Sequence, residues 1–406
     1  MTLSLLKTGV LITRRVLLVN VILFFVFFTS YFVFSVYILR YVGSSVNNPL
    51  ILQAAFHFII TITLILTSFF IHRINKVHLV YASSVATSIA TLLLFLTSNE
   101  LLRIVITLLI GVFFSTGQLA FFTYFWKLTS AQERGRVGGL IGFVSLPLSF
   151  VIDPIIAETL DFSGTILLGF FLSLGALVIV LLRPEKLMLT AKQPERENYS
   201  EKKTVLLYSI PWVLFSLVNV TLAKNISLNI FQQVSSSFYL FLIGLQTIGV
   251  IFGAIIGGVI ADFLGRRLSL VFSLTLYGIG SALVGLVTNG VMLSLVYVAN
   301  GLSWGILLIM YTFVVWGDLA NNKNCARMYS IGLTTYYSSI GVGLLFTSTL
   351  QIPLVVSALA SCLVVFLSNI PIALAPELLS SDFRERIKLR MHMNAVKKIK
   401  QSQNQG

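Results

Sequence analysis

The chain has 406 residues, of which 57% are hydrophobic and 10% are charged, and its mean hydropathy is +0.94. Soluble domains carry about 25% charged residues, so this composition excludes an ordinary soluble protein and indicates an integral membrane protein. The net charge of +14 is also typical of nucleic-acid-binding proteins, but the positions of the basic residues, described below, argue against that class.

Apolar runs of about 20 residues follow one another along the chain, and this is the length that a helix needs to cross a bilayer. The sequence therefore predicts an all-α integral membrane fold with twelve transmembrane helices. The predicted spans lie near residues 16–39, 50–71, 78–97, 102–126, 137–157, 163–183, 204–226, 237–261, 268–287, 291–316, 328–348 and 352–375. The seventh is the least regular, because its outer half, Lys224 to Gln233, is polar.

The basic residues indicate how the chain is oriented. If the N-terminus is cytoplasmic, every Lys and Arg except Arg40, Arg103 and Lys224 falls on the cytoplasmic side. Cytoplasmic loops of membrane proteins carry an excess of Lys and Arg. We therefore expect a multi-pass protein of the cell membrane with both termini in the cytoplasm, in contact with the lipid bilayer and not with nucleic acid.

A single long hydrophilic stretch divides the chain into two sets of six predicted spans. The predicted organisation is a six-helix bundle over residues 1–183, a cytoplasmic loop over 184–203, a second six-helix bundle over 204–376 and a basic cytoplasmic tail over 377–406. The two halves share landmarks at nearly constant spacing. For example, Arg183-Pro184-Glu185 follows span six and Ala375-Pro376-Glu377 follows span twelve. This correspondence indicates an internal duplication.

The loop after span eight carries the most specific motif, Gly258-Val-Ile-Ala-Asp262-Phe-Leu-Gly265-Arg266-Arg267. Gly265 permits positive φ at the reversal, and the two arginines favour the cytoplasmic side. The pattern Gly-x-x-x-Asp-x-x-Gly-Arg-Arg resembles the signature loop of the major facilitator superfamily of secondary transporters. The resemblance implies two parallel six-helix repeats around a midplane site for a small-molecule substrate. We expect a monomer.

The first half departs from that family pattern. Its copy of the loop has His72 where an Asp is usual and Asn75 where a Gly is usual. Thr107 stands in span four where an Arg, often linked to proton coupling, is common. Span five lacks the Gly-Pro element of drug/proton antiporters. Coupling to protons by the usual route is therefore not indicated.

Charged and turn residues at the cytoplasmic helix ends form a predicted gate. In related transporters, ion pairs here fasten the cytoplasmic side while the site faces outward. The alternative is that these residues only set topology and cap helices. The gate candidates are Gly258, Asp262, Gly265, Arg266, Arg267, Asp318, Arg327 and Glu377, and their counterparts in the first half are His72, Asn75, Lys76, Glu133, Arg136 and Glu185.

Polar and aromatic residues at half depth are candidates for a substrate site, because such side chains are costly inside a membrane unless they are used. The alternative for each is inter-helix hydrogen bonding or packing. The first-ranked candidates are Gln118, Asn219, Asn300 and Trp304, and the others are Thr29, Tyr31, Trp212, Gln246, Tyr336 and Tyr337. The absence of a deep fixed charge favours a neutral or weakly polar substrate.

Asp153 and His57 are the candidates for binding a coupling proton, because ionisable groups are rare within the spans. The four histidines lack metal-ligand spacing, and no phosphate-binding loop or nucleophile–base set is present. We expect no enzymatic activity, cofactor or metal site. The sequence predicts a secondary transporter that works by alternating access, either ion-coupled or facilitative. The alternatives are an efflux pump for amphiphilic compounds and a sensor that keeps the fold without transporting.

Overall fold

The structure, a computed structural model, describes residues 14–43, 49–182, 202–287, 289–347 and 352–379, with the backbone alone at 40, 151–159, 162 and 180–181. Within these ranges every regular element is helical. In chain order they are α1 (Arg14–Gly43), α2 (Pro49–Arg73), α3 (Lys76–Leu96), α4 (Glu100–Leu128), α5 (Arg134–Thr159), α6 (Phe162–Gly175, continued by a 3-10 segment at Ala176–Leu182), α7 (Lys202–Gln233), α8 (Ser236–Leu264), α9 (Arg266–Leu286), α10 (Gly290–Leu319), α11 (Cys325–Thr347) and α12 (Leu354–Leu374).

Nine of these described helices are long and apolar enough to cross a membrane. Large apolar side chains such as Leu101, Leu240 and Leu286 are exposed on their outer surfaces, where lipid would cover them. The chain is therefore a multi-pass membrane protein, and the predicted all-α class is confirmed. The predicted count of twelve spans is consistent with this arrangement. Glu185 and the tail beyond residue 379 lie outside the described residues.

The short loops end in polar residues that cap the helices. Asn75, Asn99 and Asn289 each accept a hydrogen bond from a backbone N–H in the first turn of the helix that follows. Ser235 and Asp161 do the same at the starts of α8 and α6. Such caps satisfy N–H groups that have no partner inside the helix, and they allow sharp reversals at the membrane surface.

Irregular turns interrupt α1, α7 and α10 in their interiors. A π segment lies at Val33–Ile38 in α1 and another at Met310–Val314 in α10. α7 is interrupted at Thr221 and then continues beyond the predicted end of span seven. The extension forms because Ile226 and Ile230 pack into a small apolar cluster on the inner side of its otherwise polar turns.

Contact between the two predicted halves runs along two pairs of helices, α2 with α11 and α5 with α8. Small residues bring α5 and α8 together: a Cβ added to Gly258 would lie only 2.2 Å from the carbonyl oxygen of Gly135. A Cβ added to Gly139 would likewise lie 2.7 Å from the carbonyl oxygen of Ala254. Because neither backbone carries a side chain at these points, α5 and α8 touch directly.

The helix ends that carry basic residues meet on one side of the molecule, which we call the basic face. Trp126, at the end of α4, donates a hydrogen bond to the carbonyl oxygen of Gly317 near the end of α10, at 2.8 Å. Arg327, in the first turn of α11, lies over the ring of Phe69 near the end of α2, at 4.9 Å. The two halves are therefore in contact at this face.

Candidate functional site

Asp262, in the last turn of α8, is the centre of a buried polar network at the basic face. Its carboxylate is fully buried and accepts hydrogen bonds from the backbone N–H groups of Gly135 and Arg136, at 3.0 and 2.8 Å. The Arg136 side chain donates to it at 3.1 Å, and Arg266 forms an ion pair with it at 3.0 Å. The acid of α8 thus caps the first turn of α5, a helix of the other half.

Asp318, near the end of α10, is the second buried acid of the network and pairs with two arginines. One carboxylate oxygen pairs with Arg134 of α5, and the other accepts from Arg266 at 2.7 Å. Arg266 also donates to the carbonyl oxygens of Ala261 and Ala131. The guanidinium of Arg266 therefore joins Asp262 to Asp318 and reaches the residues that precede α5.

Glu377, after α12, completes the network by capping α9. It accepts hydrogen bonds from the backbone N–H groups of Arg266 and Arg267, at 2.8 and 3.1 Å. Gly265 has a φ of 114°, and a Cβ there would lie 2.6 Å from a carboxylate oxygen of Glu377. Glycine is required at this position both for the positive φ and for the space that the carboxylate occupies.

This network, formed by Arg134, Arg136, Asp262, Arg266, Asp318 and Glu377 and called the clamp below, joins the two predicted halves. Its inter-half ion pairs are Arg136 with Asp262 and Arg134 with Asp318. Removing one partner of a buried ion pair leaves an uncompensated charge and costs about 3–5 kcal/mol. Breaking either pair without supplying water or another partner would therefore leave buried charges uncompensated.

Some of the predicted gate residues lie outside the clamp. Arg327 stacks on Phe69, and Arg267 contributes a backbone N–H group. In the first half, Lys76 donates to the carbonyl oxygens of His72 and Ile74, at and just after the end of α2, and Asn75 caps α3. Glu133 accepts hydrogen bonds from Ser130 in the adjoining turn. His72 lies at the exposed end of α2.

Arg134 was not among the gate candidates predicted from the sequence, which included Arg136 and Asp318, but the structure places it in the clamp. Arg134 is fully buried at the start of α5, where its guanidinium also donates to the side chain and the carbonyl oxygen of Thr129. The available signal was the pair of arginines separated by one glycine. This pair of arginines could not be told apart from residues that only set the membrane orientation, because basic residues are frequent at cytoplasmic helix ends whether or not they form ion pairs.

A cavity of about 250 Å³ lies between the halves. Residues of α1, α4, α7, α10 and α11 line it, and thirteen of its eighteen lining residues are Phe, Tyr or Trp. No Asp, Glu, Lys, Arg or His is among those lining residues. The cavity is thus uncharged and largely aromatic, as ligand pockets in proteins commonly are.

One wall of the cavity consists of nearly parallel rings. Trp212 of α7 stacks with Tyr311 at a centroid distance of 4.5 Å and with Tyr336 at 6.0 Å, with interplanar angles of 20° and 16°. Its indole N–H donates to the carbonyl oxygen of Gly332 at 2.8 Å, which fixes the ring against α11. Tyr311 belongs to the π segment of α10. Such segments are frequent at functional sites because they redirect side chains.

Six of the ten predicted substrate-site residues line this cavity: Tyr31, Gln118, Trp212, Trp304, Tyr336 and Tyr337. The other four lie outside its wall. The hydroxyl groups of Thr29 and Ser149 are 2.8 Å apart, and Asn219 accepts from Tyr277 at 3.3 Å. The amide oxygen of Asn300 lies against Gly280 of α9. Gln246 belongs to α8, which does not contribute to the wall.

The sequence-based candidates did not include the phenylalanines that make up much of the wall. Phe24, Phe27, Phe28, Tyr31 and Phe32 of α1 follow helical spacing and all face the cavity. The spacing was visible in the sequence. It could not distinguish a cavity from a packed or lipid-covered face, because aromatic residues are common on all three.

Two polar contacts lie at the cavity's edge. Tyr337 of α11 donates to the amide oxygen of Gln118 of α4 at 3.0 Å, and this bond crosses between the halves. The Tyr31 hydroxyl lies 3.0 Å from Nε2 of His57, whose Nδ1 lies 2.7 Å from the carbonyl oxygen of Gln53. Because a carbonyl oxygen can only accept, Nδ1 carries a proton, and Nε2 accepts from Tyr31 when His57 is neutral. The side chain of Asp153 is not described.

No protein-family model and no curated protein matches the chain. Solved structures are similar to it over most of their length, and the chain has the fold of the major facilitator superfamily. The structures include the proton:xylose symporter XylE bound to 6-bromo-6-deoxy-D-glucose, at 13% identity and a TM-score of 0.68, which covers 89% of this chain and 96% of XylE.

Two other solved structures give the same result. A bacterial homologue of the iron transporter ferroportin in the outward-facing state has 16% identity and a TM-score of 0.69, covering 88% of this chain and 98% of its own. The human organic anion transporter MFSD10 (TETRAN) has 12% identity and a TM-score of 0.62, covering 88% and 99%. At these identities the similarity establishes the fold.

Within the described residues, no group of three or more His, Cys, Asp or Glu side chains is placed to hold a metal ion.

Proposed function

We propose that the protein is a secondary transporter that moves a small organic molecule across the cell membrane by alternating access. The observation that carries the proposal is the position of the cavity. It lies between two bundles, and at the basic face the same bundles are joined by the clamp, whose inter-half ion pairs must separate when the bundles part. Alternating access needs a site that two halves enclose and a connection at each face that can open.

The basic face is the cytoplasmic face in this proposal. The helix ends that form it contain most of the described Lys and Arg residues, as the positive-inside tendency requires. The cavity is then closed towards the cytoplasm, and the clamp is the cytoplasmic gate. The protein works as a monomer in the cell membrane with both termini in the cytoplasm, because one chain supplies both halves of the cavity.

The substrate is uncharged and largely apolar. A charged molecule would have to leave water for an aromatic cavity in which no lining side chain carries a compensating charge. This favours import or efflux of amphiphilic or aromatic compounds over transport of phosphates or dicarboxylates. Whether the protein imports or exports its substrate depends on the ion gradient to which flux is coupled.

His57 is the proposed site of a coupling proton. Among the described side chains, the titratable groups that face it are Tyr31 of α1 and Tyr337 of α11, whose ring centroids lie 6.0 and 6.3 Å from that of His57. Protonation converts Nε2 from an acceptor to a donor, so the Tyr31 hydroxyl must turn its own hydrogen elsewhere. Since Tyr31 lines the cavity, the charge on His57 changes the hydrogen bonding offered to a substrate.

The test is flux in proteoliposomes that contain the purified protein and a set of uncharged aromatic compounds. We expect saturable movement of at least one compound, with a rate that responds to an imposed pH gradient. Binding without flux under every imposed gradient would contradict transport and would favour the sensor alternative.

A further inference from the structure

Three groups of the cavity wall can each donate a hydrogen bond to a guest. The amide oxygen of Gln118 accepts from Tyr337, which leaves the amide Nε2 and its two hydrogens. Trp304 contributes an indole N–H and Tyr336 a hydroxyl group. Among the described residues, none of these three groups has a hydrogen-bond partner in the protein. The buried polar atoms that lack both a hydrogen-bond partner and accessible surface do not include these three groups. Each of the three therefore has accessible surface.

These donors come from three helices around one enclosure. Gln118 belongs to α4 in the first half, and Trp304 and Tyr336 belong to α10 and α11 in the second. In contrast, the indole N–H of Trp212 is already used, because it donates to the carbonyl oxygen of Gly332. A guest that carries an acceptor can therefore bond to both halves, whereas a hydrocarbon guest would cover these donors and leave them unsatisfied.

The shape of the wall favours a flat guest. Trp212, Tyr311 and Tyr336 present nearly parallel rings, and aromatic pairs are most stable in offset-stacked or edge-to-face arrangements. Tyr31 and Tyr337 close the cavity beside this wall with their ring centroids 5.4 Å apart. A planar ring system can stack on this wall while its edge reaches the donors.

We propose that the cavity binds an uncharged planar aromatic molecule that carries a hydrogen-bond acceptor, the class that includes aromatic ketones, quinones and neutral nitrogen heterocycles. This inference rests on the proposed function in treating the cavity as the substrate site. It goes further by stating which uncharged molecules the site selects. A site built to hydrogen-bond a guest discriminates strongly against analogues that leave its polar groups unpaired.

The experiment uses two probes of nearly equal shape, 2-acetylnaphthalene and 2-ethylnaphthalene, of which only the first has a carbonyl oxygen. N-methylquinolinium and 2-naphthoate serve as planar cationic and anionic probes. Binding to the full-length protein in nanodiscs is measured by titration calorimetry, with the heats of empty nanodiscs subtracted. We expect 2-acetylnaphthalene to bind about 10-fold more tightly than 2-ethylnaphthalene, and both ionic probes to bind more weakly than either.

Two substitutions test which groups make the distinction. Trp304→Phe keeps an aromatic ring and removes the N–H, and Gln118→Leu removes the amide. Each is expected to weaken binding of 2-acetylnaphthalene by about 3- to 10-fold, and to leave that of 2-ethylnaphthalene unchanged or make it tighter, because the hydrocarbon then covers one unsatisfied donor fewer. Phe272→Leu on the exposed surface of α9 is the matched control and should change neither affinity.

Equal binding of the two naphthalenes, tighter binding of either ionic probe, or no binding of any probe would overturn the inference. Loss of affinity for both naphthalenes alike in Trp304→Phe would also count against it, since that indicates packing and not donation. Flux is measured separately. Selective binding without flux would leave this inference standing and refute transport, and flux of a compound outside this class would do the reverse.

Discussion

Asp262 has two roles in the clamp, because one buried carboxylate pairs with two arginines and also caps a helix of the opposite half. An amide at this position has the same shape but no charge, and one of its two polar atoms is a donor. In Asp262→Asn, Arg136 and Arg266 would therefore keep their positive charges in a buried site with less compensation.

We predict that Asp262→Asn opens the basic face. Cys325 provides the measurement, because its thiol is buried at the start of α11 beside Lys76 of the first half. In a Cys362→Ser background, alkylation of Cys325 by a water-soluble maleimide should be at least about tenfold faster in Asp262→Asn, which corresponds to about 1.4 kcal/mol of destabilisation of the closed state.

The matched control for this prediction is Arg73→Gln, which removes an exposed positive charge at the same face and should leave the alkylation rate unchanged. An unchanged rate in Asp262→Asn would show that the ion pairs are not what keeps the face closed.

We predict that His57 is required for coupling of flux to a pH gradient. In His57→Gln, an imposed pH gradient should no longer drive flux, while affinity for the transported compound changes by less than about threefold, because the side chain lies behind Tyr31 and does not line the cavity. The readout is accumulation in proteoliposomes with and without a gradient. His78→Gln, on an exposed position of α3, is the control. Gradient-driven accumulation that persists in His57→Gln would remove His57 from the coupling mechanism.

How much of the site was predictable differs between its charged and its aromatic residues. Asp262, Arg266 and Asp318 were recognisable because charges at the ends of apolar spans are few and fall at matching positions. The role of Arg134 was not recognisable from the sequence, because its burial depends on how closely α5 and α10 approach each other. Tyr311 was missed because its direction is set by a π segment, and residue spacing does not predict such a segment.

At the scale of helices, the contact between α5 and α8 depends on the absence of side chains. Gly258 faces Gly135 and Gly139, and a methyl group at Gly258 would lie within 2.2 Å of a backbone oxygen and 3.0 Å of the Cα of Gly139. Neither helix backbone can yield locally, because both are continuous through this region. The helices would have to separate.

Gly258→Ala should therefore weaken the closed state. We expect faster alkylation of Cys325, by about five- to tenfold, together with a lower thermal unfolding midpoint, because separation of α5 from α8 lengthens the contacts of Asp262 with α5. Gly244→Ala on the same helix is the matched control. No atom lies within 4 Å of a Cβ built at Gly244, so the change should be neutral or slightly stabilising. Identical behaviour of the two variants would contradict a role for close approach.

The order of the helices along the chain was predictable from the sequence, but the places where a helix is irregular or ends late were not. Apolar runs gave the class and approximate positions of the helices, because the bilayer sets their length. α7 extends to Gln233 through polar residues that no hydropathy criterion favours, and it does so because Ile226 and Ile230 have partners in neighbouring helices. Tertiary contacts determined this helix end.

For the molecule as a whole, alternating access requires the halves to move relative to each other along the line where α5 meets α8. Phe143 and Phe252 face each other across that line, with ring centroids 6.1 Å apart. In a Cys325→Ser, Cys362→Ser background, joining Phe143→Cys to Phe252→Cys with a short bifunctional thiosulfonate should abolish flux, because the halves can no longer separate. Reduction of the link should restore flux.

A cross-link within one half serves as the control for that experiment. Phe231 of α7 and Tyr239 of α8 have ring centroids 5.1 Å apart, and joining cysteines at those positions should leave flux unchanged. If a link across α5 and α8 permits flux, then movement of the two halves as bodies is not the mechanism, and the proposal of alternating access fails with it.

The capping of α5 by Asp262 makes opening of the basic face measurable by amide hydrogen exchange. The amide hydrogens of Gly135 and Arg136 are bonded to a carboxylate that belongs to the other half of the protein. Whenever the halves part at this face, these two amides lose their acceptor together and become open to exchange with deuterium from water. The exchange rate of these two amides thus reports how often the basic face opens, and mass spectrometry can measure it on the unlabelled wild-type protein.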